Sequence, residues 1–305
     1  MTSPAAALRR GPVAGAIRFA DADFLAIARR VHADFGLNLS INKKDMVYSR
    51  LNRRLRDLGL HDFECYLLFL DGPDGAQEYL QLRSALTTNV THFFRESHHF
   101  RMLRETVLPP LITLARSGGR VRIWSAGCSA GQEPYSLAFT ILNICPEAPR
   151  LDIRILATDV DPMVIAKARA GIYPLEEIKA IPQSMRSQLT DRSAVSGDTF
   201  AIGQTARTLI QFAELNLMDE WPMRGPIDII FCRNVAIYFD LETQARLWNR
   251  FGKLIPNGGF LFIGHSERLS GPATAYLATV GINTYCRTAE TPGNPARHLR
   301  EELLK

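Results

Sequence analysis

Apolar residues recur along this chain in two rhythms, and the change falls near residue 88. From Phe19 to about Leu86 the spacing is helical throughout. Val47, Leu51, Leu55 and Leu58 are separated by three or four positions, as on one face of a helix. An earlier helix is expected from Asp23 to Phe35, with Asp21 as its cap and Gly36-Leu37-Asn38 as its break. Gly59 reads as the stop of the second helix, and His61-Asp62 opens a third. Further on, short apolar runs alternate with helical ones. Val121, Ile123 and Trp124, then Ile153 to Ala157, Ile227 to Cys232 and Phe260 to Ile263 read as buried strands, the last preceded by the turn Pro256-Asn257-Gly258-Gly259. Leu137, Ala138, Phe139, Ile141 and Leu142 lie on a helix between them. Such alternation predicts a mainly parallel, doubly wound α/β sheet. Between Met185 and Phe212 the pattern shortens again. Thr199 to Ile202 and Thr208 to Phe212 read as small strands beside a turn at Ser196-Gly197-Asp198.

The stretch Val121 to Phe139 is the richest in chemistry. A strand runs into small residues with Gly127 and Gly131, and then into a helix. Such a turn lets backbone approach a ligand, which the free N–H groups of the helix start can bind; a tight connection without a ligand is the plainer alternative. A dinucleotide site would show G-x-G-x-x-G, whereas the run here is A-G-C-S-A-G-Q-E-P. Glu133 would repel a pyrophosphate. It either complements the helix dipole or faces a ligand that is cationic or rich in donors. S-adenosylmethionine, with its sulfonium, ammonium and ribose diol, is such a ligand. Asp159, at the end of the second strand, is placed to accept ribose hydroxyls. Asp161-Pro162 reads as N-cap and first residue of a helix. Arg233, Asn234 and Tyr238 follow the third strand, in the zone where open sheets bind ligands. Thr87 to Glu96 (TTNVTHFFRE) reads most simply as a helix start with a buried Phe pair, capped by Asn89 or Thr91.

Composition narrows the class. With 305 residues and 46% apolar content the chain can build one or two cores. It has no apolar run of about 18 residues, so a membrane span is not expected. Five scattered cysteines without C-x-x-C suit a reducing compartment rather than disulfides or zinc. Residues 1–16 read as a disordered extension and residues 289–305 as a mobile tail. The net charge of +5 is uneven. Lys43, Lys44, Arg50, Arg53, Arg54 and Arg56 face one acid, Asp45, and the arginines are expected mostly on the exposed face of the second helix.

Taken together, TTNVTHFFRE, WSAGCSAGQEPYS, LATDVD, AELNL, FCRNVAIYF and GHSE, with Lys44 to Leu51 and Arg53 to Arg56, resemble the chemoreceptor glutamate methyltransferases of bacterial chemotaxis, the CheR family. The resemblance spans roughly residues 20–287. It implies a class I S-adenosylmethionine-dependent methyltransferase sheet (Rossmann-like) at 89–288. A small antiparallel β-subdomain is inserted at about 185–213, and an all-α domain precedes the sheet at 17–88. It implies S-adenosyl-L-methionine as cofactor, with S-adenosyl-L-homocysteine as product, and esterification of receptor glutamates for sensory adaptation. Asn89, Thr91, Arg95, Glu133, Asp159, Asn216, Leu217, Arg233 and Asn234 match the cofactor-binding positions, and Arg95 and Tyr238 match the catalytic ones. Leu217 and Phe94 also read as plain core. Arg50, Arg53, Arg54 and Arg56 are expected to meet the acidic methylation helices of a receptor.

The same resemblance points to a monomeric cytoplasmic enzyme recruited to receptor arrays at the inner membrane, with no nucleic-acid partner and no membrane insertion. Some members grip a receptor pentapeptide with a Gly-x-Gly loop. Asp191 to Asp198 lacks one, so pentapeptide independence is expected. Methyl transfer to a carboxylate needs neither a general base nor a metal, and His92, His98 and His99 have no further residues at metal-ligand spacing, so no metal is expected. Two other classes remain: a non-catalytic binding module, and a methylase of nucleic acids or small molecules. Against the latter, N-P-P-Y is absent and Cys128 and Cys232 lack a supporting base.

Overall fold

Side chains at helical spacing build the first part of the chain, and strands with a period of two alternate with helices in the rest. A computed structural model describes residues 15–87, 89–191 and 197–288. The expected extension at 1–16 (save its last two residues), the expected tail and residues 192–196 of the Asp191–Asp198 loop lie outside them. Contacts divide the chain into two units, Met1–Thr88 and Asn89–Lys305.

The first unit holds α1 (Asp21–Phe35), α2 (Lys44–Asp57), α3 (Phe63–Leu70) and α4 (Gly75–Leu86). α1 buries Phe24, Ile27, Val31 and Phe35, one stripe of its surface. It starts earlier than expected. Ala20 occupies the cap position, the Asp23 carboxylate accepts the Ala20 N–H at 2.8 Å, and Asp21 is the first helical residue, paired with Lys44. Gly36 ends α1 at φ +73°. Asp62 caps α3 as expected, accepting the Cys65 N–H at 2.7 Å. A short pairing of Arg18 with Asp62 means that this unit is not helix alone.

The basic face of α2 also differs from expectation. Arg53 and Arg56 are exposed, but Arg50 and Arg54 turn toward their own unit. Arg50 donates to the Ala85, Leu86 and Thr87 carbonyls, the unsatisfied groups at the end of α4. Arg54 forks onto the buried Glu78 at 2.5 and 3.1 Å, where the Tyr66 hydroxyl donates as well at 3.0 Å. A buried carboxylate requires such partners, and helical periodicity does not reveal where it sits.

In the second unit α5 (Ser97–Met102) runs through one π-type turn, Leu103–Val107, into α6 (Leu108–Arg116). There follow β1 (Val121–Ala126), α7 (Gln132–Ile144), β2 (Ile153–Asp159), α8 (Pro162–Ala170), β3 (Ile172–Pro174), α9 (Gln183–Leu189), β4 (Thr190–Asp191), β5 (Thr199–Ile202), α10 (Gln204–Arg207), β6 (Ile210–Glu214), β7 (Ile229–Cys232), α11 (Leu241–Leu254), β8 (Phe260–Ile263), β9 (Leu277–Gly281) and β10 (Thr284–Arg287). The main sheet has the order β6-β2-β1-β7-β8-β10-β9. Its first five strands are parallel, β10 is antiparallel to β8, and β9 is antiparallel to β10. Alternation assigns the two faces. Ile123, Ile229 and Phe231 point to one core with α6 and α7, while Trp124, Ile230 and Cys232 point to the other with Trp248 and Phe251 of α11.

The small antiparallel sheet has the order β3-β5-β4. It begins at Ile172, earlier than residue 185. The expected strand at 208–212 does not belong to it: β6 pairs in parallel with β2, and Ile210 and Phe212 pack on Ile165 of α8. A half-buried edge strand has the same alternation in either sheet, so the pattern could not separate the two.

Candidate functional site

The parallel strands end along one edge, and every loop that leaves β1, β2, β7 and β8 begins there. After β1, Gly127 adopts φ +80°, and a Cβ on it would lie 2.3 Å from Val235 Cγ2. Gly131 adopts φ +97°, with Ala168 Cβ 2.9 Å from where its own Cβ would be. Both glycines are therefore dictated by conformation and by space. Between them, the Ser129 N–H donates to Asp159 Oδ2 at 2.8 Å and its hydroxyl to the Asn89 carbonyl at 2.9 Å.

Asp159 is buried, and its Oδ1 accepts the Asp161 N–H at 3.0 Å. Burial pushes its pKa up, and the backbone donors hold it back. Each of its oxygens keeps a second lone pair. Asp161 is the cap of α8, taking the Met163 N–H at 2.8 Å on one oxygen and the Asn89 amide at 3.0 Å on the other. Asn89 thus ties the preceding loop to the end of β2. That loop is not the helix start that sequence suggested. It remains irregular to Glu96, Phe94 and Glu96 have φ of +54° and +57°, and the helix begins at Ser97 without Asn89 or Thr91 as cap. Phe93 is buried, whereas Phe94 and Thr91 are half-buried.

Arg233, just past β7, occupies the centre. Its side chain is 2% exposed and lies between Glu96 (Nε–Oε2 3.5 Å) and Glu133 (Nη1–Oε2 3.4 Å), and its Nη2 donates to the Arg95 carbonyl. Glu133 also accepts from the Ser125 hydroxyl at 2.7 Å. Burial raises the Glu133 pKa and Arg233 opposes that shift. For Glu96 burial pulls upward too, but Arg233 and His265 outweigh it and its pKa falls below the usual range. The Arg95 guanidinium donates to the Val90 carbonyl at 3.0 Å and stays half-buried. Asn234 is half-buried at φ +60°, and Tyr238 is half-buried against the Trp248 core.

Asn216 and Leu217 lie beyond β6. Asn216 closes a local turn, accepting the Met218 N–H and donating to Asp219, and Leu217 is buried in the core. The structure therefore joins Asn89 and Asp159 through Ser129 and Asp161 into one group, and Arg95, Glu96 and Glu133 around Arg233 into a second, with Asn234 next to Arg233 in the chain. Thr91 is half-buried in the loop before α5, and Tyr238, Asn216 and Leu217 lie along the loops that leave β7 and β6.

Glu267 was not singled out from sequence. It is 2% exposed and accepts four backbone N–H groups: Val235 (3.0 Å) and Ala236 (2.7 Å) on Oε1, Asn234 (3.0 Å) and Gly264 (2.5 Å) on Oε2. It fixes the loop after β7 to the end of β8. Its one signal was the quoted GHSE, a buried acid just past a strand. Glu96 likewise lay inside a quoted motif without a role.

This arrangement suits a ligand with a cationic head and a hydroxyl pair. Glu133 and Asp159 retain acceptor capacity, and the turn beside them excludes any Cβ at two positions. Among the described residues no nucleophile–base pair stands here: Cys128 and Cys232 are buried, and burial pushes both thiols up.

Comparison with known proteins agrees with the geometry. The family model described as CheR methyltransferase, SAM binding domain, matches residues 89–286, and the CheR methyltransferase all-alpha domain matches residues 22–87. A probable chemotaxis protein methyltransferase of Rhizobium etli is 48% identical over 267 residues, which is 87% of this chain and 100% of that protein. The chemotaxis protein methyltransferase of Salmonella typhimurium is 40% identical over 83% of this chain and 86% of its own length, and that of Escherichia coli 40% over 83% and 87%. With both domains matched, the chain belongs to the CheR family of S-adenosylmethionine-dependent chemotaxis methyltransferases.

Proposed function

We propose that the enzyme esterifies specific glutamate side chains in the cytoplasmic methylation helices of chemoreceptors, as a protein-glutamate O-methyltransferase. The observation that supports this reading most is the Glu96–Arg233–Glu133 bracket beneath the strand ends, in a site without a nucleophile–base pair. S-adenosylmethionine supplies a methyl group activated on a sulfonium. A substrate glutamate is already ionised near neutrality, so the protein need not remove a proton. Its work is positioning and exclusion of water.

In this reading Glu133, held by Ser125, takes the cationic amino-acid part of the cofactor, and Asp159 takes the ribose. Asn89, Thr91, Asn234 and Arg233 complete the pocket, with Asn216 and Leu217 beside the adenine. Arg95 and Tyr238 orient the substrate carboxylate, Arg95 through charge-assisted hydrogen bonds. The exposed Arg53 and Arg56 attract the acidic receptor helices, and Arg50 and Arg54 add charge from half-buried positions. The enzyme works as a monomer in the cytoplasm at receptor arrays, without needing a C-terminal receptor pentapeptide.

Transfer of label from S-adenosylmethionine to receptor membranes, followed by mild alkali, tests the reaction. Release of methanol is expected, and alkali-stable label would overturn glutamate esterification. Receptors lacking their C-terminal residues are expected to be methylated equally well; loss of methylation would refute pentapeptide independence. Arg95→Ala is expected to abolish nearly all turnover, and retained turnover would refute its role.

A further inference from the structure

On the Glu96 side of Arg233, away from Glu133, lies a cluster whose two histidines methyl transfer does not use. Glu96, His98 and His99 each bring one ligand atom to within 4.8 Å of the others. Glu96 Oε2, His98 Nε2 and His99 Nδ1 are all buried and have no hydrogen-bond partner. Three orphaned lone pairs in one place call for a physical account, because a buried acceptor without a donor is destabilising.

The protonation of His99 sharpens the point. Its Nε2 faces the Ile282 carbonyl at 3.0 Å. A carbonyl can only accept, so Nε2 carries a proton, and in the neutral ring Nδ1 presents a lone pair. That lone pair points at Glu96 Oε2, 3.4 Å away. Two acceptors thus face each other in a buried place.

A shared cation reconciles the three. In a tetrahedral site with bonds of about 2.0–2.1 Å, neighbouring ligand atoms stand roughly 3.3–3.4 Å apart, and the Oε2–Nδ1 pair already has that separation. The outer partners are also those of a metal site. Ile282 fixes the His99 tautomer, and Glu96 Oε1 is held by the His265 backbone N–H at 3.2 Å and its ring Nδ1 at 3.1 Å.

We propose that Glu96, His98 and His99 form a binding site for a divalent transition-metal ion of the zinc class. Two imidazoles and one carboxylate suit zinc, cobalt, nickel or copper rather than magnesium or calcium. Arg233 sets the consequence, since its Nε lies 3.5 Å from the same Glu96 oxygen. Metal and guanidinium compete for Glu96, so the ion inhibits methyl transfer by drawing Glu96 away from Arg233. The inhibition rests on the proposed function, but the binding does not.

Zinc is titrated into chelator-stripped full-length protein against a chromophoric chelator, and cobalt into a parallel sample to read its visible d–d bands. One site with a tetrahedral cobalt spectrum is expected. His98→Ala, which lies outside the Glu96–Arg233–Glu133 ion pairs, is expected to weaken binding by at least about tenfold, as loss of a direct ligand costs more than loss of a group that only orients one, and to raise the inhibitory zinc concentration in parallel. Binding unchanged in His98→Ala, or an octahedral cobalt spectrum, would overturn the site. Binding lost in His98→Ala with inhibition unaltered would overturn the competition with Arg233.

Discussion

The carboxylate of Glu267 offers the sharpest test of how the site is held. Glu267→Gln keeps shape and volume and changes only acceptor capacity. The native group accepts two N–H groups on each oxygen, from Val235 and Ala236 on one and from Asn234 and Gly264 on the other. An amide can serve one pair. The other pair then faces an NH2 group, two donors against donors. At about 1–3 kcal/mol for each buried donor left unsatisfied, the change costs roughly 2–6 kcal/mol. That is a large part of the ~5–15 kcal/mol that holds a typical domain together.

The assay can be confined to the right unit. All three tryptophans, Trp124, Trp221 and Trp248, lie in the second unit, so their fluorescence during urea unfolding reports on it alone. For a unit of this size the expected loss lowers Tm by roughly 5–20 °C, at about 2–4 °C per kcal/mol. Cofactor affinity should fall as well, because Asn234 sits at φ +60° only while Glu267 holds its N–H. A variant within about 0.5 kcal/mol of the parent, the range of changes that touch nothing important, would refute the four-fold acceptor. A destabilised variant with unchanged affinity would refute the link from this carboxylate to the cofactor pocket.

Three further outcomes follow from the same geometry. Gly127→Ala combines a left-handed φ, about 1–2 kcal/mol for a residue with a Cβ, with a contact of 2.3 Å to Val235. With about 1–3 kcal/mol for overpacking, urea unfolding should show a loss of roughly 2–5 kcal/mol, and a change below about 1 kcal/mol would count against the clash. In the first unit Arg54→Ala leaves Glu78, 4% exposed, as a buried charge without its partner and should cost about 3–5 kcal/mol by circular dichroism. Arg53→Ala and Arg56→Ala should leave stability unchanged yet raise the KM for receptor at low salt; equal effects from all three would erase this division of labour. Glu96 has a depressed folded pKa, so its stabilisation is present above the unfolded value of about 4.3 and is lost as pH falls through the folded one. The Tm difference between parent and Glu96→Gln should therefore shrink on acidification from neutrality, and a difference independent of pH would contradict the Arg233 pairing.

Local chemistry was legible where one residue type has one use. Asp161-Pro162 could be read as cap and first turn because few other pairs start a helix so well. Gly127 and Gly131 could be read as an obligatory turn, and the four parallel strands as a sheet, because buried strands are continuous in apolar residues. The strands β9 and β10 were missed. They alternate weakly, and their partner is fixed by the chain's return to β8 rather than by their own pattern. The start of α5 was misplaced for a related reason. Asn89 and Thr91 are good caps by type, but Asn89 is committed to Asp161, seventy-two positions away. Helix caps are local, and this bond is not.

The charged residues show the same limit more deeply. Arg50, Arg54 and Arg233 are one residue type, and sequence assigns all three to partners outside the chain. In the fold each lies against groups that burial has taken from water: the last carbonyls of α4, the Glu78 carboxylate, and the pair Glu96 and Glu133. The last case explains how a pocket for a cationic ligand can be built from buried acids. Burial pushes the Glu133 pKa up, against the charged form that the proposed pocket needs, and Arg233 opposes that shift. A guanidinium is always charged and presents donors in a plane, so one Arg233 can face two carboxylates where a lysine, a point charge that loses its proton when buried, would serve poorly. Arg233 is thus buried where it opposes the upward shift of Glu133. The backbone strain at Phe94, Glu96, Ser129 and Asn234, about 1–3 kcal/mol each, marks the loops that converge on it.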